Sequence, residues 1–536
     1  MTPTRTLTLV VLLFLSTTAF AQFDALTMSF GPIERIGDSD IANSFVTVHN
    51  SSYLDVPNVY VRVNLTNSYV PETTYIGGQN DELWTCQNDE TPFRLVCSAP
   101  LIPAGQSVRL QLYVGPIKPE SRVTLSGNAI WQWYEAQPFS ETVTQTRSFG
   151  REVGVTNSGD AGPGSLRAAI EYANDACTRD AVPCRIVFRI DAPVPERGWF
   201  TILPNTPLPA ITSAPHIEID GASQTLFSGD TNPLGPEVAL DGSALYFGHG
   251  LEIGGTGIAV VRNLTIGGFP WNGIAVTRDS YARSVIEGNY IGTDATGARA
   301  LPNGGRGITF DLPASEFDVI NNIVSGNARS GVFIAGAYSV TLEENTIGRG
   351  SDGRPLPNGA AGVLIGPQVT EALLRRNTIA NNTKFGVAVA TEAAQFALVD
   401  NSITGNGFIG IDRGLDGFSG YENNDFDVYH AKIPPPRVMS ATFNPAANRT
   451  TIIGTYNDAN DYWGRWKITL FRNTVNDGQG EFVLGHTAAI SGTFRLELPG
   501  DLRGQFITAT GQRELVLGYS GYWYWTSEFS EAVEVR

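Results

Sequence analysis

"GNYIGTDATGARALPNGGRGI" occupies Gly288–Ile308, and "ENTIGRGSDGRPLPNGAAGVLI" occupies Glu344–Ile365. Both read N-x-I-G, then a polar stretch, then L-P-N-G, then glycine and an aliphatic residue. An irregular loop written twice marks equivalent places in two copies of one structural unit. The unit emerges from the apolar residue two places after each asparagine. Ile291, Val324, Ile347, Ile379 and Ile403 follow Asn289, Asn322, Asn345, Asn377 and Asn401, and Ile266 stands in an earlier copy. In four copies a glycine comes seven residues after the anchor, as Gly273, Gly331, Gly386 and Gly410. In the two L-P-N-G copies that glycine is delayed to Gly307 and Gly362, by insertions of nine and eight residues. With the insertions removed the period is 23 to 25 residues.

A period near 24 is too short for a helix pair, and its apolar residues fall in short β runs such as "GVAVA" and "FALVD". The pattern predicts a parallel β-helix of about nine coils stacked about 4.8 Å apart. The aliphatic anchors should fill its interior. The asparagines should form a hydrogen-bonded ladder from coil to coil, and the glycines should permit a turn with unusual φ/ψ. The stretch "GPGSLRAAIEYANDAC" predicts an amphipathic helix covering the first coil. Ser165 is its N-cap, and Leu166, Ala169, Ile170 and Ala173 form its apolar stripe.

On either side the pattern changes to alternation with period two. "SFVTVHNSS", "NVYVRVNLT" and "QSVRLQLYVG" precede the repeats, and "TTIIGTYN", "WKITLFRN" and "TFRLELPG" follow them. Half-buried strands of this kind predict two β-sandwiches. The first 21 residues have one arginine, a short apolar run and an A-x-A end, and read as a signal peptide. The expected division is therefore 1–21 signal peptide, 22–149 Ig-like β-sandwich, 150–432 β-helix with capping helix, 433–436 Pro-rich linker and 437–536 C-terminal β-sandwich. The expected fold class is all-β.

The chain of 536 residues carries a net charge of −17. That excludes nucleic acid as a natural partner and weighs against polyanionic ligands unless calcium bridges them. No apolar run is long enough to span a bilayer. Four cysteines form two close pairs, Cys86/Cys97 and Cys177/Cys184, which behind a signal peptide read as two local disulfides.

The sequence also resembles known families. "WTCQNDETPFRLVCSAPLIPAGQSVRLQL" resembles the Ig-like repeats of bacterial surface proteins. "VTNSGDAGPGSLRAAIEYAN", "IEIDG…VALDGS", the L-P-N-G cassettes, "GIDRGLDG" and "TSEFSEAVEV" together resemble bacterial exported right-handed parallel β-helix proteins with the pectin-lyase-like fold. The resemblance implies a right-handed coil and secretion or a cell-surface location. It does not imply one activity, because the fold hosts lyases, hydrolases, epimerases and non-enzymatic surface proteins. Gly248-His249-Gly250 matches a motif of the polygalacturonases, but the accompanying N-T-D and R-x-K are absent, so a turn before "LEI" is expected.

Four groups of residues are candidates for function. Phe269 and Trp271 in "GGFPWNGI", and Trp523 and Trp525 in "GYSGYWYWTSEFSE", offer flat rings on which sugars stack. Asp412, Asp416, Asp425 and Asp427 gather hard oxygen donors that suit calcium. Asp220, Asp241, Asp294, Asp311 and Asp400 recur in coil strands and loops, and a pair of such acids would serve glycoside hydrolysis. Asp294 and Asp352 sit in the duplicated cassettes, where a scaffold role is expected. The expected function is binding of extracellular polysaccharide or cell-surface material without catalysis. The alternative is a polysaccharide lyase or glycoside hydrolase working in a groove on the β-helix.

Overall fold

The structure is a computed structural model describing residues 26–31, 33–35, 41–50, 55–66, 75–78, 83–88, 94–115, 121–131, 143–149, 151–212, 216–254, 257–277, 283–311, 316–389, 395–413, 435–456, 465–489, 492–516 and 522–536. The signal-peptide region lies outside them. The chain forms two compact units, Met1–Arg151 and Glu152–Arg536.

The first unit is a β-sandwich. Strands Leu26–Phe30, Ala42–Asn50, Ser107–Gly115 and Tyr75–Gly78 form one antiparallel sheet, with Glu34–Arg35 on Ala42–Asn50. Strands Val143–Phe149, Ser121–Trp131, Val56–Thr66, Arg94–Ile102 and Thr85–Asn88 form the other. Period-two alternation places Val46, Val48, Val61, Val63, Leu110 and Leu112 in one shared core. Trp84 is buried there and donates its indole N–H to the Arg109 carbonyl at 3.0 Å. The Cys86–Cys97 disulfide joins directly opposed residues of neighbouring strands.

The second unit begins with the β-helix. One face is an eight-stranded parallel sheet running from Phe200–Ile202 to Ser402–Thr404. It stacks Leu240, Ile266, Ile291, Val324, Ile347, Ile379 and Ile403 in register. All of them are buried in the solenoid core. The helix Leu166–Tyr172 covers the first coils. Ser165 accepts the Ala168 N–H at 3.2 Å, and Leu166, Ala169 and Ile170 face the core. The Cys177–Cys184 disulfide ties the end of this helical segment to the strand Cys184–Phe188.

The asparagine ladder is present and buried. Each side-chain amide of Asn289, Asn322, Asn345 and Asn377 donates to the Oδ1 of its successor, at 2.9–3.1 Å. A second ladder lies at the opposite end of the anchor strand. Asn303, Asn327, Asn358, Asn382 and Asn406 are linked in the same way at 2.9–3.0 Å. Each of these asparagines precedes the repeated glycine by four residues, so the cassette insertions fall between anchor and ladder.

The repeated glycines differ from the expectation. Gly273, Gly307, Gly331, Gly362, Gly386 and Gly410 do not have positive φ. Close approach is what requires them. A Cβ on Gly331 would lie 2.8 Å from the Gly362 carbonyl oxygen and 2.9 Å from both Asn358 Nδ2 and Ile347 Cγ2. The left-handed position is the residue before each first-ladder asparagine. Gly288 occupies it once, and Asn321, Glu344, Arg376 and Asp400 hold it at φ 52–56°.

The two cassettes touch across the shorter coil between them. Ser351 N donates to the Gly297 carbonyl at 2.9 Å, and Ser351 Oγ to the Thr296 carbonyl at 2.6 Å. Asp294 accepts from the Thr296 hydroxyl at 2.7 Å, and Asp352 from the Arg354 N–H at 3.0 Å. Each acid therefore folds its own turn.

Beyond residue 434, strands Arg437–Asn444, Arg449–Thr455 and Thr493–Pro499 form one antiparallel sheet. Arg465–Asn473, Phe482–Ala488, Phe506–Val516, Tyr522–Thr526 and Val533–Glu534 form another, and the two enclose a core around Ile452, Trp466, Ile468, Phe494 and Ile507. These strands belong to the same compact unit as the solenoid. They close its last coil. Gly480 and Ile403 exchange two backbone hydrogen bonds at 2.7 Å, and Trp525 pairs in parallel with Phe396. Gln479 takes the next rung of the second ladder, its Oε1 accepting from Asn406 Nδ2 at 3.0 Å.

An ion pair fastens this junction. His486 Nε2 lies 3.0 Å from Asp400 Oδ1, and the other ring nitrogen is 3.0 Å from the Thr469 hydroxyl. Burial alone would raise the Asp400 pKa. The hydrogen bond and charge of His486, with Lys467 and Arg376, outweigh it and hold the group at about 2. A native value below the ordinary 3.8 means that this group stabilises the fold above about pH 4, and that the contribution is lost as the pH falls toward 2. Asp400→Asn should therefore cost about 2 kcal/mol at pH 5 and little at pH 2, measured by urea unfolding at both values. Equal costs at the two pH values would remove the charge from the junction.

Candidate functional site

The loops after the second asparagine ladder, together with the strands that follow the repeated glycines, build one side of the solenoid. In those strands the residues flanking the centre point inward. The central residues form an outward column: Glu252, Ala275, Thr309, Phe333, Leu364, Ala388 and Asp412. In the loops, backbone hydrogen bonds of 2.7–3.1 Å place Gly248, Trp271, Gly305 and Arg329 on successive coils. Ala360, Lys384 and Phe408 continue the same column at 2.8–3.1 Å.

The first coils of this face carry a cluster of exposed rings. Trp271 is 50% exposed, Phe247 57% and Tyr246 97%. The Trp271 ring centroid lies 6.2 Å from that of Phe247 and 5.1 Å from that of His249, the latter two ring planes meeting at 65°. His249 is fixed by the backbone: the Asn272 N–H donates to its Nδ1 at 3.2 Å. Nδ1 is then the acceptor, so Nε2 carries the proton of the neutral ring. Burial lowers the imidazole pKa, opposed in part by the charges of Glu252 and Asp311. The result is a neutral hydrogen-bond donor beside an aromatic platform. Glu252 accepts the Thr277 hydroxyl at 3.0 Å.

The same column continues into the next coils. Asn272 Oδ1 accepts the Arg306 N–H at 2.8 Å. The Arg306 guanidinium lies 3.9 Å above the Phe333 ring centroid. Phe333 then lines an apolar groove of about 310 Å³ with Ala335, Leu364, Pro367 and Gln368. Phe385 and the exposed Phe408 meet edge to face at 5.3 Å farther along.

Of the residues singled out in the sequence, Trp271 takes part in this site and Phe269 does not. Phe269 is 0% exposed, and its ring fills the space above Gly242 and Gly250 inside the coil. That burial is a correction: no sugar reaches it. Trp523 and Trp525 lie on the strand Tyr522–Thr526, but their side chains fall outside the described residues. Asp412 is buried on Ile411–Arg413, whereas Asp416, Asp425 and Asp427 lie outside the described residues. Among the described residues, no group of three or more His, Cys, Asp or Glu side chains is placed to hold a metal. The five scattered acids do not assemble as a set: Asp220 pairs with Arg185, Asp241 caps a turn at Ser243, and Asp400 pairs with His486. Sequence patterning did not point to Tyr246, Phe247, Arg306 or Arg329. The spacing back from each repeated glycine, two residues for Trp271 and Arg329 and one for His249 and Arg306, was the signal that could have found the last two.

Residues 249–426 match the family model of the right handed beta helix region. The stacked parallel sheets make this part of the chain a parallel β-helix, and the matched segment is similar to the right-handed form. No curated protein sequence matches it. Among solved structures it is similar to the catalytic domain of Agl-KA, at 13% identity over 73% of this chain and 84% of that one, with a TM-score of 0.22. It is also similar to the catalytic unit of the GH87 alpha-1,3-glucanase from Streptomyces thermodiastaticus strain HF3-3, at 11% identity over 72% and 92%, TM-score 0.21. A third is tailspike protein 2 of Escherichia coli O157:H7 bacteriophage CAB120, at 9% identity over 68% and 65%, TM-score 0.24. Likenesses this loose give no residue-by-residue correspondence.

Proposed function

We propose that the protein is exported and holds an extracellular polysaccharide, free or on a cell surface, along the side of its β-helix without cleaving it. One observation carries the reading: the half-exposed Trp271 ring packs beside both the exposed Phe247 ring and the His249 imidazole. A sugar ring offers one flat apolar face and a rim of hydroxyls, and this arrangement meets both. The platform stands on rigid coils rather than a free loop, so little ordering entropy opposes binding. Two disulfides suit an oxidising location outside the cytoplasm. Among the described residues no helix is long and apolar enough to cross a membrane.

The test is a glycan array followed by fluorescence titration of the hits. Trp271→Ala should weaken binding about tenfold or more with an unchanged melting temperature. Retained affinity in that variant would remove the platform from the site. A lyase or hydrolase is the second reading, favoured by the charges of Glu252 and Asp311 acting on His249. Release of reducing or unsaturated ends from an array hit, abolished by His249→Asn, would establish it in place of simple binding.

A further inference from the structure

Arg306 and Arg329 break the electrostatic pattern of the molecule. The chain is acidic overall, at −17, and its solenoid arginines are commonly neutralised. Arg167 pairs with Asp160, Arg185 with Asp220, Arg262 with Glu218, and Arg375 and Arg376 with Glu343. Arg306 and Arg329 instead stand on consecutive coils of the candidate face. They are held in register by the hydrogen bonds Arg329 N to the Gly305 carbonyl at 2.9 Å and Gly307 N to the Ser330 carbonyl at 3.2 Å. Among the described residues neither is in an ion pair. Burial and then the charge of Arg329 push the Arg306 pKa below its usual value, and only Asp311 acts in the other direction. Two like charges on adjacent coils repel, and the stack on Phe333 prevents Arg306 from swinging freely away. Lys384 adds a third cation, in the same column as Arg329 and two coils farther on.

We propose that the glycan held on this face is anionic, and that a carboxylate or sulfate group of one sugar sits between Arg306 and Arg329. The inference rests on the glycan reading given above and adds the charge class of the ligand. Planar guanidinium groups donate paired hydrogen bonds to such oxyanions, and a bound oxyanion relieves the repulsion between the two arginines. The position is constrained too. Arg306 is one coil beyond Trp271 and Arg329 two, so the anion lies about 5–10 Å along the solenoid axis from the stacking platform. That places the charge on a sugar next to the one on Trp271. The net negative charge of the protein does not oppose this arrangement at short range. Charges more than about a Debye length away are screened at physiological ionic strength, whereas the two guanidinium groups touch the ligand.

The experiment prints each acidic glycan beside its neutralised twin, carboxyl-reduced or desulfated, and probes both with the intact protein and with Arg306→Gln, Arg329→Gln and Trp271→Ala. Acidic members should bind at least about tenfold better than their twins. Arg306→Gln and Arg329→Gln should each erase most of that preference, so that the acidic member binds no better than its neutral twin on the same variant. Arg329 is exposed, so its substitution leaves the fold intact even if that of Arg306 disturbs the Phe333 contact. Trp271→Ala should weaken both members. Loss on carboxyl reduction assigns a carboxylate, and loss on desulfation assigns a sulfate. Equal, Trp271-dependent binding of acidic and neutral twins would overturn the anionic ligand and leave the glycan reading standing. An array on which nothing binds would sink both.

Discussion

Replacing Asn377 with leucine should destabilise the β-helix unit by about 3–5 kcal/mol. The side chain is buried and fully engaged. Its amide donates to the Leu342 carbonyl at 2.8 Å and to Asn401 Oδ1 at 2.9 Å, while its Oδ1 accepts from the Asn345 N–H at 3.0 Å and from Asn345 Nδ2 at 2.9 Å. Leucine has a similar volume but strips a partner from the Asn345 N–H, from one hydrogen of Asn345 Nδ2 and from the Leu342 carbonyl, while Asn401 Oδ1 keeps only the Asn377 backbone N–H at 2.9 Å. Each orphan costs about 1–3 kcal/mol, less what water penetration or relaxation recovers. Chemical denaturation monitored by circular dichroism reads the effect directly. A midpoint within experimental error of the parent would mean that the ladder contributes nothing and that shape alone holds the coils together.

Gly331→Ala should cost about 3 kcal/mol although it adds only one methyl group. The new Cβ would meet the Gly362 carbonyl, the Asn358 amide and the Ile347 methyl, all inside 3 Å. The carbonyl is backbone of the next coil and moves only if the stack opens. Gly353→Ala is the comparison. There φ is 77° and nothing lies within 4 Å of the added atom, so only backbone strain is incurred, about 1 kcal/mol. If the two variants melt alike, conformational freedom and not close stacking explains the glycine column.

These two positions also show what the sequence made legible. Asn377 was readable because an asparagine at a fixed interval before each aliphatic anchor meets its own kind when the coils stack, and paired amides satisfy one another there. The second ladder was hidden by the choice of origin. Counted from the anchors, Asn303 and Asn358 lie beyond insertions and Asn327, Asn382 and Asn406 do not; counted back from the glycines, all five stand at the same distance. The role of the glycines is not legible in the sequence for a related reason. Sequence shows that a side chain is forbidden, but backbone torsion and steric contact forbid it equally well, and only the neighbouring coil distinguishes them.

The site was less legible than the fold. Phe269 and Trp271 are two residues apart in one turn, and no periodicity governs which side of an irregular loop each ring takes. The structure sends Phe269 over Gly242 and Gly250, into the core, and leaves Trp271 outside. Arg306 and Arg329 are 23 residues apart and become neighbours only through the stacking of coils. Net charge averaged over the chain hid them. An acidic total is compatible with a local pair of cations, because most other arginines of the solenoid are matched to carboxylates.

The contact between the two cassettes has a genetic consequence. Long and short coils alternate, so Asn289, Asn345 and Asn401 follow one another at intervals of 56 residues. The repeating structural module is thus a pair of coils rather than a single one. Both asparagine rungs and both glycines travel within it, so an in-frame tandem duplication would insert a finished segment about 10 Å long with every interface already matched. Unequal crossing-over between such modules would change the length of the exposed face in whole steps and leave the ends untouched.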